Sequence, residues 1–167
     1  MSDVRGARSE ARGADGGAQS VTGEARGARL SDRVRDAIRR HAAEAYPYEC
    51  CGALIGAAID DELVELVEIV DAKPLDNVTE EGPRRRFRVS ATDYRQSEAR
   101  ARELGAELVG FYHSHPDHPA QPSQYDLDHA WPNFSYVIVA VAHGRPGDIR
   151  SWRLRPDRSQ FDEETLA

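Results

Sequence analysis

The sequence has few cysteines and no long apolar run. Its 167 residues include two cysteines, Cys50 and Cys51, and an adjacent pair is a poor basis for a disulfide framework. No apolar segment approaches the ~20 residues needed to span a bilayer, and the N-terminus lacks the apolar stretch of a secretory signal. These absences predict a cytoplasmic protein with reduced thiols and no membrane partner.

Basic residues are outnumbered by acidic ones, 22 against 29. The formal net charge is −7, and proteins that bind nucleic acid present a basic face to the phosphate backbone. A nucleic-acid partner is therefore not expected. A hydrophobic content of 40% in a chain of this length is enough for one modest core, which predicts a single domain. Nothing in the sequence predicts an oligomeric state.

The composition divides the chain into three parts. Residues 1–28 are Gly, Ala, Arg, Ser and acidic residues, which bury too little surface to offset their ordering entropy. This segment is predicted to be a disordered tail, residues 29–156 the folded domain, and residues 157–167 an acidic C-terminal tail.

Periodicity within residues 29–156 predicts alternating helices and strands. Ser31 is a plausible N-cap before apolar residues at helical spacing, and Ser90 or Thr92 can cap a second helix. Helices are predicted at 31–46, 90–104 and 124–131, and strands at 49–56, 63–70, 87–89, 108–112, 136–141 and 149–154. The first two strands are predicted to pair antiparallel. The resulting fold class is α/β, with one mixed sheet flanked by helices.

One short segment has the spacing of a metal site. His113 and His115 follow a predicted strand, where side chains at i and i+2 project from one face. Asp126, at the start of the third predicted helix, can add a carboxylate. Zinc accepts imidazole nitrogen and carboxylate oxygen, and three protein ligands leave a fourth position for water. The segment therefore predicts a catalytic zinc site.

Each of these residues also has a structural explanation when it is taken singly. Strand ends often carry histidines. Ser123 and Asp126 have the spacing of a capping-box variant at a helix start, and Glu49 alone is an ordinary carboxylate at a turn. The metal-site prediction depends on their occurring together.

The spacing of five residues resembles the motif of the JAMM (MPN-plus) zinc metallopeptidase family. Glu49 comes first, His113-x-His115 follows, and after seven further residues come Ser123, two residues and Asp126. The resemblance covers about residues 30–154 and is to the short bacterial members, supported by Tyr46-Pro47-Tyr48-Glu49-Cys50-Cys51-Gly52 and Gly110-Phe111-Tyr112-His113-Ser114-His115-Pro116. It implies a single MPN domain with a cytidine-deaminase-like fold.

The resemblance also implies a site and a substrate class. His113, His115 and Asp126 would hold one zinc ion per chain, Glu49 would act as general base, and Ser123 would donate a hydrogen bond to the oxyanion. Family members cut next to the C-terminal Gly-Gly of ubiquitin-like proteins. The short segment 116–134 leaves little room for a second ubiquitin-recognition element, so the expected partner is a ubiquitin-like sulfur carrier from which cysteine or a C-terminal extension is released.

Two alternatives remain open at this point. His113-x-His115-x-Asp117-His118 also satisfies a metallo-β-lactamase pattern, in which Asp117 and His118 bind a second metal. The chain is short for that fold, Pro119-Ala120 stands where small glycines usually follow, and Glu49 would have no role. The other alternative is a non-catalytic MPN scaffold, although such proteins lose metal ligands or the glutamate and this chain keeps all of them.

The remaining candidates have simpler interpretations. Free cysteine is commonly a small buried hydrophobe, so one of Cys50 and Cys51 is expected in the core. The unpaired histidines His41, His129 and His143 are expected at the surface or at helix ends. Arg84-Arg85-Arg86 is expected to be a solvated strand edge, or else a contact for an acidic or extended substrate.

Overall fold

A computed structural model describes residues 25–61, 64–84 and 86–167. These residues form seven strands and three helices in the order β1 (Ala25–Leu30), α1 (Asp32–Ala45), β2 (Cys51–Asp61), β3 (Val64–Leu75), α2 (Ala91–Glu103), β4 (Glu107–Pro116), α3 (Gln124–His129), β5 (Ser135–Ala142), β6 (Arg145–Leu154) and β7 (Phe161–Leu166). Over the described ranges, no helix is long and apolar enough to cross a membrane.

Helix α1 begins as the sequence predicts. The Ser31 hydroxyl accepts a hydrogen bond from the Val34 backbone N–H, which satisfies one of the free donors of the first turn. Val34, Ile38 and Ala42 recur every four residues, so they share one face, and all three are buried. The helix ends before Pro47, and its apolar face packs against the face of the sheet that carries Leu54 and Val137.

The seven strands form one sheet that closes on itself in the order β1-β3-β2-β4-β5-β6-β7, with β7 pairing with β1. Strand β1 is parallel to both of its neighbours and β4 is parallel to β5, whereas the other pairs are antiparallel. A single domain with a mixed sheet was predicted correctly. The closure was not predicted: the sheet is barrel-like rather than an open layer between helices. The cytidine-deaminase-like relationship stays a prediction.

Side chains that alternate along the strands pack in two apolar clusters, one on each face of the sheet. On β2, Leu54 packs in the cluster that contains the buried face of α1, and Ala53 packs on the opposite face of the sheet. This second cluster is rich in aromatic residues, including Phe111 of β4 and Tyr136 of β5. The predicted site residues lie on the aromatic side.

Both ends of the fold differ from the sequence-based prediction. Residues 25–28, assigned to the predicted tail 1–28, form the start of β1, and the predicted tail 157–167 contains β7. Residues 1–24 lie outside the described residues. These two segments contain few apolar residues, and backbone pairing stabilises them instead. Leu30 N–H donates to Ala167 O at 2.8 Å, and Ala167 N–H donates to Ala28 O at 2.9 Å. Ordered chain therefore extends beyond residues 29–156 on both sides.

The predicted strand at residues 87–89 is wrong, because these residues belong to no strand of the sheet. One backbone bond, from Val78 N–H to Arg88 O at 3.1 Å, joins this stretch to the residues just after β3. The apolar alternation of Phe87 and Val89 has another cause: both side chains are partly buried against the aromatic cluster.

Strand β4 passes unusually close to β5 at Gly110. A Cβ at this position would overlap the backbone carbonyl of Ser135. Gly110→Ala is therefore expected to lower the free energy of unfolding by roughly 1–3 kcal/mol, as overpacking does in a core, measured by urea denaturation. Gly147→Ala is the control, since its Cβ would meet nothing closer than Ala140 O at 3.8 Å. Equal stability of the two variants would contradict the close approach.

Candidate metal centre and active site

Strand β4 places both histidines of the motif on one face. The strand runs to Pro116, beyond its predicted end at residue 112, so His113 and His115 lie within the sheet. Both are buried, and neighbouring β5 pairs with them through Ile138 and Ala140. Ser114 points to the opposite face, where its hydroxyl accepts a hydrogen bond from Cys50 N–H at 2.9 Å. The predicted alternation is confirmed.

Helix α3 presents Asp126 through a capping box. The Ser123 hydroxyl oxygen accepts a hydrogen bond from Asp126 N–H at 3.1 Å. In return, Asp126 Oδ2 accepts from the Ser123 backbone N–H at 2.7 Å and from the Ser123 hydroxyl at 2.8 Å. These bonds hold the carboxylate in one orientation, with Oδ1 3.3 Å from His113 Nε2. The structural and metal-binding interpretations of Asp126 are therefore compatible.

The three side chains meet at one point. The Nε2 atoms of His113 and His115 are 3.0 Å apart, and His115 Nε2 lies 3.4 Å from Asp126 Oδ2. Ligand atoms bound to one tetrahedral zinc stand roughly 3.3–3.6 Å from one another, given the usual bond lengths. Of the described residues, these three form the group able to hold a metal ion. Both imidazole–carboxylate distances have this spacing, the two imidazole nitrogens lie slightly closer together, and the donor types fit zinc.

Hydrogen bonding sets the orientation of His115. Its Nδ1 lies 2.8 Å from the Pro119 carbonyl oxygen, which can only accept, so Nδ1 carries the proton. A neutral His115 therefore turns the lone pair of Nε2 toward His113 and Asp126. Such a second partner on the far nitrogen is typical of histidines that bind metals. Converging lone pairs and a carboxylate repel one another unless a proton or a metal ion lies between them.

On the side of the ring away from the cluster, His113 is held by packing rather than by a hydrogen bond. Its ring stacks on Phe87 with the centroids 4.4 Å apart. Its Nδ1 is buried and has no hydrogen-bond partner among the described residues. The ring is thus positioned by an aromatic neighbour that the sequence gave no reason to connect with the site.

The electrostatics favour an ionised Asp126. Burial alone would raise the pKa of this carboxyl, but the charges and hydrogen bonds of His113 and His115 hold it well below its usual value. Burial lowers the pKa of His113, against the attraction of Asp126. For His115, burial acts to lower the pKa, but hydrogen bonds to Asp126 and to the Pro119 carbonyl outweigh it. The shifts of Asp126 and His113 favour the anionic carboxylate and the neutral imidazole that a metal ion requires, whereas His115 would release a proton when a metal binds.

The strand register places Glu49 beside the same cluster. Cys51 of β2 pairs with His113 of β4. The antiparallel register continues one step further, because Ser114 N–H donates to Cys50 O at 3.1 Å. The next step brings Glu49 opposite His115, and residues opposite one another in antiparallel strands project to the same face. Glu49 is 5% exposed, so its carboxyl group faces the site rather than solvent.

Burial changes the acidity of Glu49. Desolvation raises the pKa of its carboxyl to about 8, with the nearby Asp126 adding to the rise and His115 opposing it. A pKa in this range lets a carboxyl group accept and release a proton near neutral pH. The sequence interpretation of Glu49 alone as an ordinary turn carboxylate did not predict this burial.

Ser123 has only one hydroxyl proton, and the hydroxyl donates it in a hydrogen bond to Asp126 Oδ2. The predicted contact with an oxyanion therefore requires this proton to turn away from Asp126. The role of Ser123 that is visible in the hydrogen bonds is to orient Asp126.

The residues of the two-metal alternative lie elsewhere. Asp117 is engaged by the Tyr46 hydroxyl at 2.9 Å and the His143 backbone N–H at 2.9 Å, which both donate to its carboxylate. His118 is exposed. Among the described residues, neither belongs to the group that could hold a metal. Asp117 is a turn residue with φ of 55°.

The other candidates are structural. Cys50 and Cys51 are both buried, and desolvation raises their pKa values to about 11 and about 12, so neither is a ready nucleophile. His41, expected at the surface or at a helix end, lies in α1 and is half-buried, with Nδ1 2.8 Å from the Tyr112 hydroxyl. His129 and His143 are exposed, as predicted.

A cavity of about 680 Å³ opens beside His113 and Asp126. Its walls are mainly aromatic, with two arginines: Phe87, Tyr94, Phe111, Trp131, Phe134, Tyr136, Arg88 and Arg95. The positions of Trp131, Phe134 and Tyr136 around the turn from α3 to β5 are typical of packing residues. Their aromatic character was the available signal, but their position next to the ligands depends on how α2, α3 and β4 pack together.

Comparison with known proteins agrees with the fold and the motif. Residues 31–155 match the model of the prokaryotic homologs of the JAB domain. The chain is 32% identical over 129 residues to a desampylase of Haloferax volcanii, covering 71% of this chain and 88% of that protein. It is also 36% identical over 126 residues to tail tip assembly protein K of Escherichia phage N15, covering 75% of this chain but only 45% of the phage protein.

Two solved structures are similar as well. A protein of Salinibacter ruber superposes with a TM-score of 0.65 at 43% identity, over 83% of this chain and 89% of its own. A protein of Desulfitobacterium hafniense superposes with a TM-score of 0.69 at 29% identity, over 84% of this chain and 91% of its own. The metallo-β-lactamase alternative is therefore wrong. The match across the whole site-bearing domain shows that the chain belongs to the prokaryotic JAB (JAMM/MPN) domain family.

Proposed function

We propose that this protein is a zinc-dependent isopeptidase that cuts the bond after the C-terminal Gly-Gly of a ubiquitin-like protein. The observation that carries the proposal is the meeting of His113, His115 and Asp126 within 3.4 Å, with the buried Glu49 opposite His115. Non-catalytic members of this family lose part of that set. The name of the Haloferax relative supports the substrate class, since a desampylase acts on conjugates of ubiquitin-like proteins.

The ligand set indicates what a metal would contribute. A zinc ion held by His113, His115 and Asp126 would polarise the scissile carbonyl and make water nucleophilic at neutral pH. The protein keeps these ligands ready: the Pro119 carbonyl fixes the tautomer of His115, and Ser123 fixes the carboxylate of Asp126. Little reorganisation is then needed when substrate arrives.

Glu49 is proposed to move the proton. With a pKa raised to about 8, its carboxyl group can take a proton from the attacking water and return it to the leaving amine. Desolvation makes the charged carboxylate a stronger base than it would be in water. Ser123 would stabilise the oxyanion once its hydroxyl proton turns from Asp126 to the substrate.

The aromatic cavity is proposed to hold the carrier's tail. Glu49 is not among the described residues that line it, and the cavity instead touches His113 and Asp126. Because Glu49 serves the leaving amine, the leaving group lies on the Glu49 side and the acyl side lies toward the cavity. An apolar side chain upstream of the Gly-Gly would fill this space, with Arg88 and Arg95 near the backbone or acidic residues of the tail.

Trp131 offers a test of this assignment. Its side chain is 46% exposed and contacts Tyr94 and Phe111 edge-on or tilted. Trp131→Ala is expected to raise KM about tenfold, the equivalent of about 1.4 kcal/mol, with kcat changed by no more than about twofold. The measurement is steady-state cleavage of a carrier fusion. Leu104→Ala, which is similarly exposed at the end of α2, is the matched control. Unchanged KM in Trp131→Ala would contradict binding of the tail in the cavity.

A sulfur carrier is the proposed partner because space around the site is limited. Between the end of β4 and the start of β5 the chain has only the turn after Pro116, the short helix α3 and the turn before Ser135. No large element is available there to grip a second ubiquitin-like domain. The leaving group is therefore proposed to be small, such as cysteine or a short C-terminal extension.

The test is direct incubation with candidate substrates. The zinc-loaded protein is mixed with ubiquitin-like carriers that end in Gly-Gly followed by cysteine or a short peptide, and the products are weighed by intact-mass spectrometry. The expected product is a carrier ending at Gly-Gly, the two fragments together having gained one water. Carriers in which the second glycine is replaced by valine are the control. No cleavage of any fusion by zinc-loaded protein would favour the non-catalytic scaffold.

A further inference from the structure

Asn77 uses its whole side-chain amide to join two segments near the site. Its Nδ2 donates to Glu49 O at 3.2 Å and to Arg86 O at 2.9 Å. Its Oδ1 accepts from Thr79 N–H and from Arg88 N–H, each at 3.1 Å. Two carbonyls face the amide nitrogen and two N–H groups face the amide oxygen, so the assignment of the two atoms is unambiguous. All four of these partners are backbone groups.

These bonds close a loop that otherwise lacks regular structure. Residues 78–84 and 86–88, called the site loop below, follow β3 and precede α2 without belonging to the sheet. The site loop is tied to Glu49 a second time, because Glu49 N–H donates to Pro83 O at 2.9 Å. Both backbone polar groups of Glu49 thus bond to Asn77 or to the loop that Asn77 organises.

The same loop contacts the opposite side of the site. Phe87 stacks on the His113 ring, and the Arg86 guanidinium lies 5.2 Å from the ring centre of Tyr125, the residue before Asp126. Phe87 and Arg88 also line the aromatic cavity. A ligand in that cavity therefore touches a segment whose backbone is connected through Asn77 to Glu49.

We propose that Asn77 is a positioning residue that couples the site loop to Glu49, so that a substrate tail held against the loop fixes the place of the Glu49 carboxylate. The inference rests on the proposed function for its kinetic consequence. The nature of the side chain supports it: only an amide of this length supplies two donors and an acceptor with two lone pairs from one planar group. Aspartate would keep the bonds to Thr79 and Arg88 but would set a carboxylate oxygen against the carbonyls of Glu49 and Arg86.

Asn77→Asp tests the coupling without reference to activity. Amide hydrogen exchange is measured on the full-length protein, with site resolution by NMR. The exchange rate of the Glu49 amide is expected to rise at least tenfold, because the loop carbonyl that it bonds to is released, while the Thr79 and Arg88 amides stay protected. Thr79→Ala is the matched control, since it removes a side-chain bond of the loop to Glu81 O and leaves the backbone bonds of Asn77 in place. Unchanged exchange at Glu49 in Asn77→Asp would overturn the coupling.

Kinetics test whether the coupling positions Glu49. In Asn77→Asp, kcat for a carrier fusion is expected to fall at least tenfold, with KM changed by less than about threefold and a full complement of zinc. An unchanged kcat would overturn the positioning role. If the wild-type protein cuts no fusion, the proposed function fails, and the exchange measurement still decides the coupling. Should Asn77→Asp fail to fold, Asn77→Ala removes all four bonds without adding charge, so the Glu49, Thr79 and Arg88 amides are then all expected to exchange faster and kcat is again expected to fall.

Discussion

Glu49→Gln is expected to abolish most hydrolysis while the protein keeps its zinc. Glutamine preserves the size of the side chain but cannot take a proton from water or return one to the leaving amine. Loss of a general acid–base group typically costs 10²–10⁴-fold in rate, so kcat should fall by about that factor. The measurement is the rate of cleavage of a Gly-Gly carrier fusion by intact mass, together with elemental analysis for zinc.

The position of Glu49 makes this experiment selective. Extending the register of β2 and β4 two residues before Cys51 places Glu49 opposite His115, and it is buried, so the substitution changes the site and little else. Glu107→Gln removes the same charge from the exposed start of β4 and should retain wild-type turnover. Retained turnover in Glu49→Gln would contradict the general-base role. Lost zinc in that variant would make Glu49 a metal ligand instead.

His115→Ala is expected to remove bound zinc and activity together. Wild-type protein should contain about one zinc per chain, whereas the variant loses one of three protein ligands and should retain almost none after dialysis. Elemental analysis and chelator competition measure the affinity. Because metal that binds only the folded state adds to its stability, the wild-type melting temperature should fall on chelation, and that of His115→Ala should not respond.

His118→Ala is the matched control for the metal. It removes an exposed imidazole three residues after His115 that does not belong to the group of His113, His115 and Asp126. Its zinc content should equal that of the wild type. A metal-free wild-type protein would favour the scaffold alternative. Two metals per chain, with one lost in His118→Ala, would contradict the single-metal site.

Local signals in the sequence were sufficient for much of the fold. The start of α1 follows from Ser31 and a four-residue apolar spacing, and that of α2 from Ser90, whose hydroxyl accepts from Asp93 N–H. The antiparallel pairing of β2 with β3 follows from proximity along the chain. These features depend on residues within a few positions of one another, which is the range over which propensity and capping act.

Other elements have no local signal because their partners are far away in the sequence. Strands β1 and β7 bury few apolar side chains and exist because each pairs with the other and with a further strand. Phe87 alternates with Val89 as a strand residue would, yet it packs on His113. Hydrogen bonds to distant backbone outweigh intrinsic preference at all these positions.

By itself the sequence determined the family and the geometry of the proposed metal ligands within each element: two imidazoles lie on one face of a strand, and a carboxylate is oriented by its own helix cap. Only the tertiary structure decided that Glu49 lies buried opposite His115, that aromatic residues from separate elements enclose a cavity beside the ligands, and that Asn77 connects the loop to Glu49. The reason is physical. Side-chain direction within a strand or helix start follows from local backbone geometry, whereas the meeting of β2, β4 and the loop depends on strand register and close packing between distant parts of the chain.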